Sequence, residues 1–110
     1  MKILIVAATK FEIDPLINQM ENIHHLNENL ISCKYKKLEI DFLITGVGMV
    51  ATAYFCGKTI NDSYRLVLNI GICGSFNTNL EIGSVVNIIQ DHFSELGAEE
   101  GEDFLTIKEI

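Results

Sequence analysis

The sequence predicts an α/β fold, a mixed central sheet flanked by helices. Three observations carry that expectation. Lys2–Ala8 and Arg65–Ile70 are near-continuous apolar runs, the pattern of strands covered on both faces. Leu30–Tyr35 and Leu38–Thr45 are two further strand-like runs parted only by Lys36 and Lys37, close enough to form a hairpin. Between these runs lie stretches with helical spacing, which gives at least four strands around two helices.

Each element has a local cause. Thr9-Lys10-Phe11-Glu12 fits the capping box that opens a helix, and Ile13, Leu16, Ile17 and Met20 then recur on one helical face. Pro15 cannot donate to the carbonyl of Phe11. Either the helix kinks there, or it starts late with Asp14 as N-cap and Pro15 at the first helical position; the sequence leaves both open. Asn22–Asn29 is polar and reads as a loop. Gly46-Val47-Gly48 turns the chain into a helix over Met49–Ile60, rich in small residues suited to close packing. Gly71 ends the Arg65–Ile70 strand, Asn77-Thr78-Asn79 is a turn, and Ser84–Gln90 is expected to be a further strand. Beyond Asp91 no period is evident.

Composition bounds the function classes. The chain has 110 residues, 48% of them apolar and 21% charged, with one Pro and eight Gly. That excludes a disordered chain, a collagen-like repeat and a disulfide-packed mini-protein, and is enough for one domain with a core but too short for two. The net charge is −7, and seven of the acids fall in residues 91–110 against a single base, Lys108. With one arginine, Arg65, and no basic stripe, the chain is not built to grip nucleic acid. Cys33, Cys56 and Cys73 are odd in number and form no CxxC pair, which argues against a zinc knuckle or a thioredoxin-type motif. The apolar run near the N-terminus is short for a signal peptide, and no run approaches the roughly 18 residues of a membrane span. A cytoplasmic protein with reduced thiols is expected.

Several motifs offer chemistry. Gly46-Val47-Gly48-Met49-Val50-Ala51 matches a dinucleotide fingerprint, but no acidic residue ends a following strand, so a tight strand-to-helix turn is the favoured reading. His24 and His25 lack a third ligand at metal spacing, and the carboxylates at 99, 100, 102 and 103 lack the alternation of a calcium loop. His92 borders the acidic segment, with nothing else pointing to it. No metal and no cofactor are expected. Glu12 lies just past the end of the first strand, where open α/β sheets bind ligands. On local sequence alone a capping glutamate at the third helical position is the favoured reading over a catalytic one. Gly71-Ile72-Cys73-Gly74 ends a second buried strand, and its glycines either admit a ligand or serve a turn. Spacing thus leads to a small-molecule site near two strand ends.

Together these segments resemble the N-terminal half of the nucleoside phosphorylase and nucleosidase family. The resemblance runs through MKILIVAATKFEI, the glycine turn and helix of TGVGMVATA, the strand end LNIGICGSF and the strand EIGSVVNIIQD, in that order along nearly the whole chain. It implies the phosphorylase/hydrolase-like fold, incomplete at the C-terminus, with residues 1–110 as the N-terminal part of one nucleosidase-like domain.

The resemblance also implies an activity. Hydrolytic members carry a carboxylate in the first loop that polarises the attacking water, and Glu12 occupies that position. Phosphorolytic members carry an arginine-bearing glycine loop there, whereas this chain has Ala8-Thr9-Lys10-Phe11. Ala8 and Ile72-Cys73-Gly74 match positions lining the ribose and base pocket. The strand end and the segment Phe93–Leu105 look more like futalosine hydrolase, which releases hypoxanthine in menaquinone biosynthesis, than like methylthioadenosine/S-adenosylhomocysteine nucleosidase. The family's Met-Glu and Ser-Asp motifs, which bind ribose and protonate the leaving purine, are absent from these residues. The 110-residue chain alone is therefore expected to have little activity, and the complete protein is expected to be a homo-oligomer acting on a small purine nucleoside.

Overall fold

In the computed structural model, which describes residues 1–93 and 96–110, the chain runs through β1 (Lys2–Ala7), α1 (Lys10–Ile17), β2 (Glu21–His25), β3 (Leu30–Tyr35), β4 (Leu38–Ile44), α2 (Met49–Thr59), β5 (Leu66–Asn69), β6 (Gly97–Glu100) and β7 (Asp103–Thr106). These fall into two units, Met1–Gly74 and Ser75–Ile110.

The first unit holds a five-stranded sheet in the order β2-β3-β4-β1-β5. It is mixed, as expected. β1 runs parallel to both β4 and β5, while β2, β3 and β4 form an antiparallel meander. β1 is apolar because it has a neighbour on each side and cover on both faces; Ile3 to Ala7 are all buried. Alternation sends its side chains two ways. Ile3, Ile5 and Ala7 pack with Ile13 and Ile17 of α1, Ile31 and Cys33 of β3, and Ile40 and Phe42 of β4. Leu4 and Val6 pack on the other face with Leu43, Phe55 and Cys56 of α2, and Tyr64.

The ambiguity over α1 resolves toward the capping box. Thr9 is extended at the N-cap, the helix begins at Lys10, and Pro15 lies inside it. Pro15 is exposed, so a carbonyl left without its amide partner can take water.

Three segments differ from expectation in secondary structure. The first part of Asn22–Asn29, read as loop, belongs to the edge strand Glu21–His25; all five strand residues are exposed, so burial imposes no period on them. Its register shifts between Glu21 and His24, with Asn22 at φ 52, a bulge that bends the edge. In the second unit the acidic segment forms the β6–β7 hairpin, turned by Gly101 at φ 68. Ser84–Gln90, expected as a strand, is irregular. Its residues have strand propensity, but a strand exists only with a hydrogen-bonded neighbour, and β6 and β7 pair with each other.

The Arg65–Ile70 run does form a strand, β5, but not the covered one expected: it is an edge that pairs with β1 alone in this sheet, and Leu66, Val67 and Leu68 are exposed. An apolar edge of that kind invites pairing. Among the described residues no helix is long and apolar enough to cross a membrane.

Candidate active site

Parallel strands bring their C-terminal ends to one side of the sheet, and three of them meet there. Ala7 O accepts from Thr45 N at 3.0 Å and Ala8 O accepts from Gly46 N at 3.0 Å, which ties the end of β1 to the end of β4. On the other side, Ile70 N donates to Val6 O at 2.9 Å, extending the β1–β5 ladder to the residue before Gly71. Strand ends of this kind are where open α/β sheets bind ligands.

Glu12 stands in the first turn of α1 beside this junction. Its Oε2 accepts from Thr9 N at 2.8 Å and from Thr9 Oγ1 at 3.0 Å. Its Oε1 accepts from Ile72 N at 3.4 Å, sixty residues further along the chain. The backbone and hydroxyl donors of Thr9 hold the carboxyl below the ordinary glutamate range against the opposing effect of burial, with smaller help from the Ile72 and Ala8 amides. The side chain is half-buried. Glu12 is thus both the capping residue and an ionised carboxylate open to water.

Of the residues singled out from sequence, the fold brings Ala8, Glu12 and Ile72 together. Cys73 and Gly74 follow Ile72 and are exposed, and no hydrogen bond among the described residues joins them to Glu12. Gly46 and Gly48 lie at φ 81 and 105, which accounts for both glycines by the turn they make. That turn is pinned to α2 by Thr45 Oγ1, which contacts Thr52 Oγ1 at 3.1 Å. His24 and His25 sit on exposed β2, and no group of three metal-ligating side chains occurs among the described residues. Two surface hollows, of about 310 and 410 Å³, lie elsewhere: one over β2, β3 and Lys2, one between α2 and the β2–β3 connection.

Sequence reasoning missed one charged cluster. Asp41 is wholly buried on β4, where its Oδ2 accepts from Tyr64 OH at 2.6 Å and pairs with Lys2 Nζ at 2.9 Å. Burial pushes its pKa up, but the Tyr64 and Lys2 hydrogen bonds and the Lys2 charge outweigh that and leave it lowered. An acid inside the apolar run LEIDFLI is the signal that could have found it. Asp41 lies midway along β4 opposite Leu4 of β1 and its partner Lys2 opens β1, whereas Glu12 stands past the end of that strand.

The fold and this junction define an α/β protein with a carboxylate at its strand ends. The phosphorylase superfamily model matches residues 2–107, and the chain belongs to that family. An aminodeoxyfutalosine nucleosidase from Campylobacter jejuni is 31% identical over 90 residues, covering 78% of this chain and 39% of the relative. Among solved structures, an S-adenosylhomocysteine nucleosidase from Streptococcus pyogenes in complex with 5-methylthiotubericidin superposes with a TM-score of 0.65 at 25% identity, covering 76% of this chain and 37% of that one. A 5'-methylthioadenosine/S-adenosylhomocysteine nucleosidase from S. pneumoniae, with a transition-state inhibitor, shares the fold at a TM-score of 0.54 and 22% identity, over 63% of this chain and 32% of that one. The chain therefore spans less than two fifths of the length of these relatives.

Proposed function

We propose that the full-length protein hydrolyses the N-glycosidic bond of a purine nucleoside derivative, with residues 1–110 as the N-terminal part of the catalytic domain and Glu12 as the base. The observation that carries this reading is the Glu12 carboxylate, ionised and open to water where the ends of β1 and β5 meet. Family membership and the nucleosidase relatives support it.

The chemistry needs two groups. The transition state is oxocarbenium-like, so an anion must orient and deprotonate water at the anomeric carbon while an acid neutralises charge on the leaving base. The water oxygen bonds to the anomeric carbon and gives its proton to Glu12. The C–N bond breaks with its electron pair going to the purine, which takes a proton. Glu12 suits the first of these roles, because its donors fix its direction without neutralising it by a cation. Ala8 and Ile72, whose backbones face Glu12, with Cys73 and Gly74 next along the chain, would line the ribose and base. No arginine stands in the Ala8–Phe11 loop, which favours water over phosphate as nucleophile.

A substrate of the futalosine class is the preferred reading, supported by the Campylobacter jejuni relative, and the enzyme would then serve menaquinone biosynthesis. The alternative, methylthioadenosine or S-adenosylhomocysteine, is favoured by the Streptococcus pyogenes structure. A cytoplasmic homo-oligomer completes the reading; free Cys33, Cys56 and Cys73 and the exposed Met49, Val50 and Tyr54 of α2 support it.

The test is purine release by the full-length protein from futalosine, methylthioadenosine and S-adenosylhomocysteine, with and without phosphate. Release from one of them at a rate independent of phosphate is expected. Phosphate-dependent release would make it a phosphorylase. Thermal stabilisation by a nucleoside without release would make it a binding module.

A further inference from the structure

We infer that Gly71 is a positioning residue for the Glu12 carboxylate, required for the space it leaves and not for its backbone freedom. The inference rests on the proposed role of Glu12 and adds a residue to that site. Four glycines among the described residues have positive φ, namely Gly46, Gly48, Gly83 and Gly101. Gly71 is not one of them, so an L residue could adopt its backbone conformation. Space is another matter. A β-carbon built on Gly71 would lie 2.9 Å from Oε1 of Glu12 and 3.7 Å from its Cδ. Beyond the adjoining residues, no other heavy atom among those described comes within 4 Å of that position.

The end of β5 therefore offers Oε1 two things in consecutive residues: a hollow at Gly71 and a donor at Ile72 N, 3.4 Å away. Oε2 is anchored on Thr9. Between them the two contacts fix the plane of the carboxylate. With alanine at position 71 the contact falls on the far end of a flexible side chain, so the fold yields cheaply by letting the carboxylate swing away. The part that yields is the part that must address the water. A misplacement of about 1 Å at a reacting group can cost on the order of a hundredfold in rate. Were Gly71 there only to end a strand, alanine would be neutral or stabilising, because it narrows the unfolded ensemble.

The experiment compares Gly71→Ala with the parent in the full-length protein, reading kcat and KM separately, the pH profile and the melting temperature. The expected result is a melting temperature unchanged or raised, KM within about twofold, and kcat lowered about tenfold or more. The acid limb of the profile should move to higher pH, because a carboxylate leaving the Ile72 amide loses a donor that favours its charged form. In a Glu12→Gln background, Gly71→Ala should change the residual rate little, since the two substitutions act through one group. An unchanged kcat with an unmoved acid limb would overturn the inference, as would a loss that persists in full in the Glu12→Gln background. If Gly71→Ala does not fold, the parent protein still decides. Its Ile72 amide resonance should titrate with Glu12 and stop doing so in Glu12→Gln; an amide indifferent to pH in the parent overturns the inference. Full activity in Glu12→Gln would instead defeat the proposed base, while the Ile72 titration would still report the packing.

Discussion

Asp41 and Glu12 are two carboxylates of one sheet unit, both held below their ordinary pKa and held in opposite ways. Asp41 has a side chain only 1% exposed, and the groups that lower its pKa are side chains, one of them the Lys2 cation. Glu12 is half-exposed and held by Thr9 and a distant backbone amide, with no cation paired to it among the described residues. A lowered pKa alone does not mark a reactive carboxylate. Asp41 spends its charge on Lys2 and Tyr64, out of water's reach. Glu12 keeps its charge uncompensated where water can arrive. The source of the stabilising donors, fixed cation or backbone dipole, thus separates a structural acid from a candidate base.

The largest test removes the charge on the open side. Glu12→Gln keeps an acceptor for Thr9 N–H and should fold as the parent does. Turnover should fall about 10²–10⁴-fold, the usual worth of a positioned general base. Purine release by purified full-length protein checks this, and turnover within a few-fold of the parent rejects the base. The pH profile carries the same information. Because the Glu12 pKa is lowered from 4.5, the base stays ionised as pH falls to that value, and rate is lost only below it.

Removing the closed carboxylate should do the reverse. Asp41→Ala strands the Tyr64 hydroxyl and Lys2, and Lys2 is exposed enough to regain water. Breaking such a pair should cost about 2–3 kcal/mol of stability, below the range for fully buried pairs, with activity per folded molecule retained. Chemical denaturation reads the loss. The folded pKa of Asp41 is depressed, so its contribution is complete above the unfolded value near 3.8 and is lost as pH falls through the folded value. The parent should therefore lose more stability than the variant across that acid window.

The same contrast explains what can be read in the sequence. β1, β3, β4 and α2 are legible almost to the residue: strand burial stamps a pattern on the first three, and the glycine turn marks where α2 begins. β2 and the β6–β7 hairpin are not, since exposed residues carry no such stamp. Ser84–Gln90 shows the converse: a strand-like pattern states a propensity and cannot supply a partner. At the site, Glu12 and the 71–74 strand end are legible from the rule that ligands gather at strand ends. The space at Gly71 and the bond from Ile72 are not, because both depend on β5 lying beside β1, a fact of topology. Asp41 stays hidden inside an apolar run for the same reason: its partners, Lys2 and Tyr64, come from other parts of the chain.

A smaller substitution on the closed side probes the contrast more finely. Tyr64→Phe deletes one hydrogen bond to Asp41 and leaves Lys2 in place, at a cost of about 1–2 kcal/mol. Denaturation should register it, and the acid limb of the rate profile should not move.

The matching substitution on the open side is Thr9→Val, and it should show the opposite signature. Valine keeps the branched β-carbon suited to the extended N-cap, where φ is −132 and ψ 153, and keeps the backbone donor to Oε2. It removes the hydroxyl that reaches the same oxygen at 3.0 Å. Losing a capping hydroxyl should cost about 1 kcal/mol or less, comparable to Tyr64→Phe. The rate profile should separate them, because the lost donor favoured the ionised form of Glu12, so its pKa rises and the acid limb moves up. Thr9→Ser should restore the limb, since serine returns the hydroxyl without the methyl. A Thr9→Val profile that coincides with the parent's would show that the backbone donors alone set the charge of Glu12, and would place the Thr9 hydroxyl with Tyr64 among the groups that serve stability only.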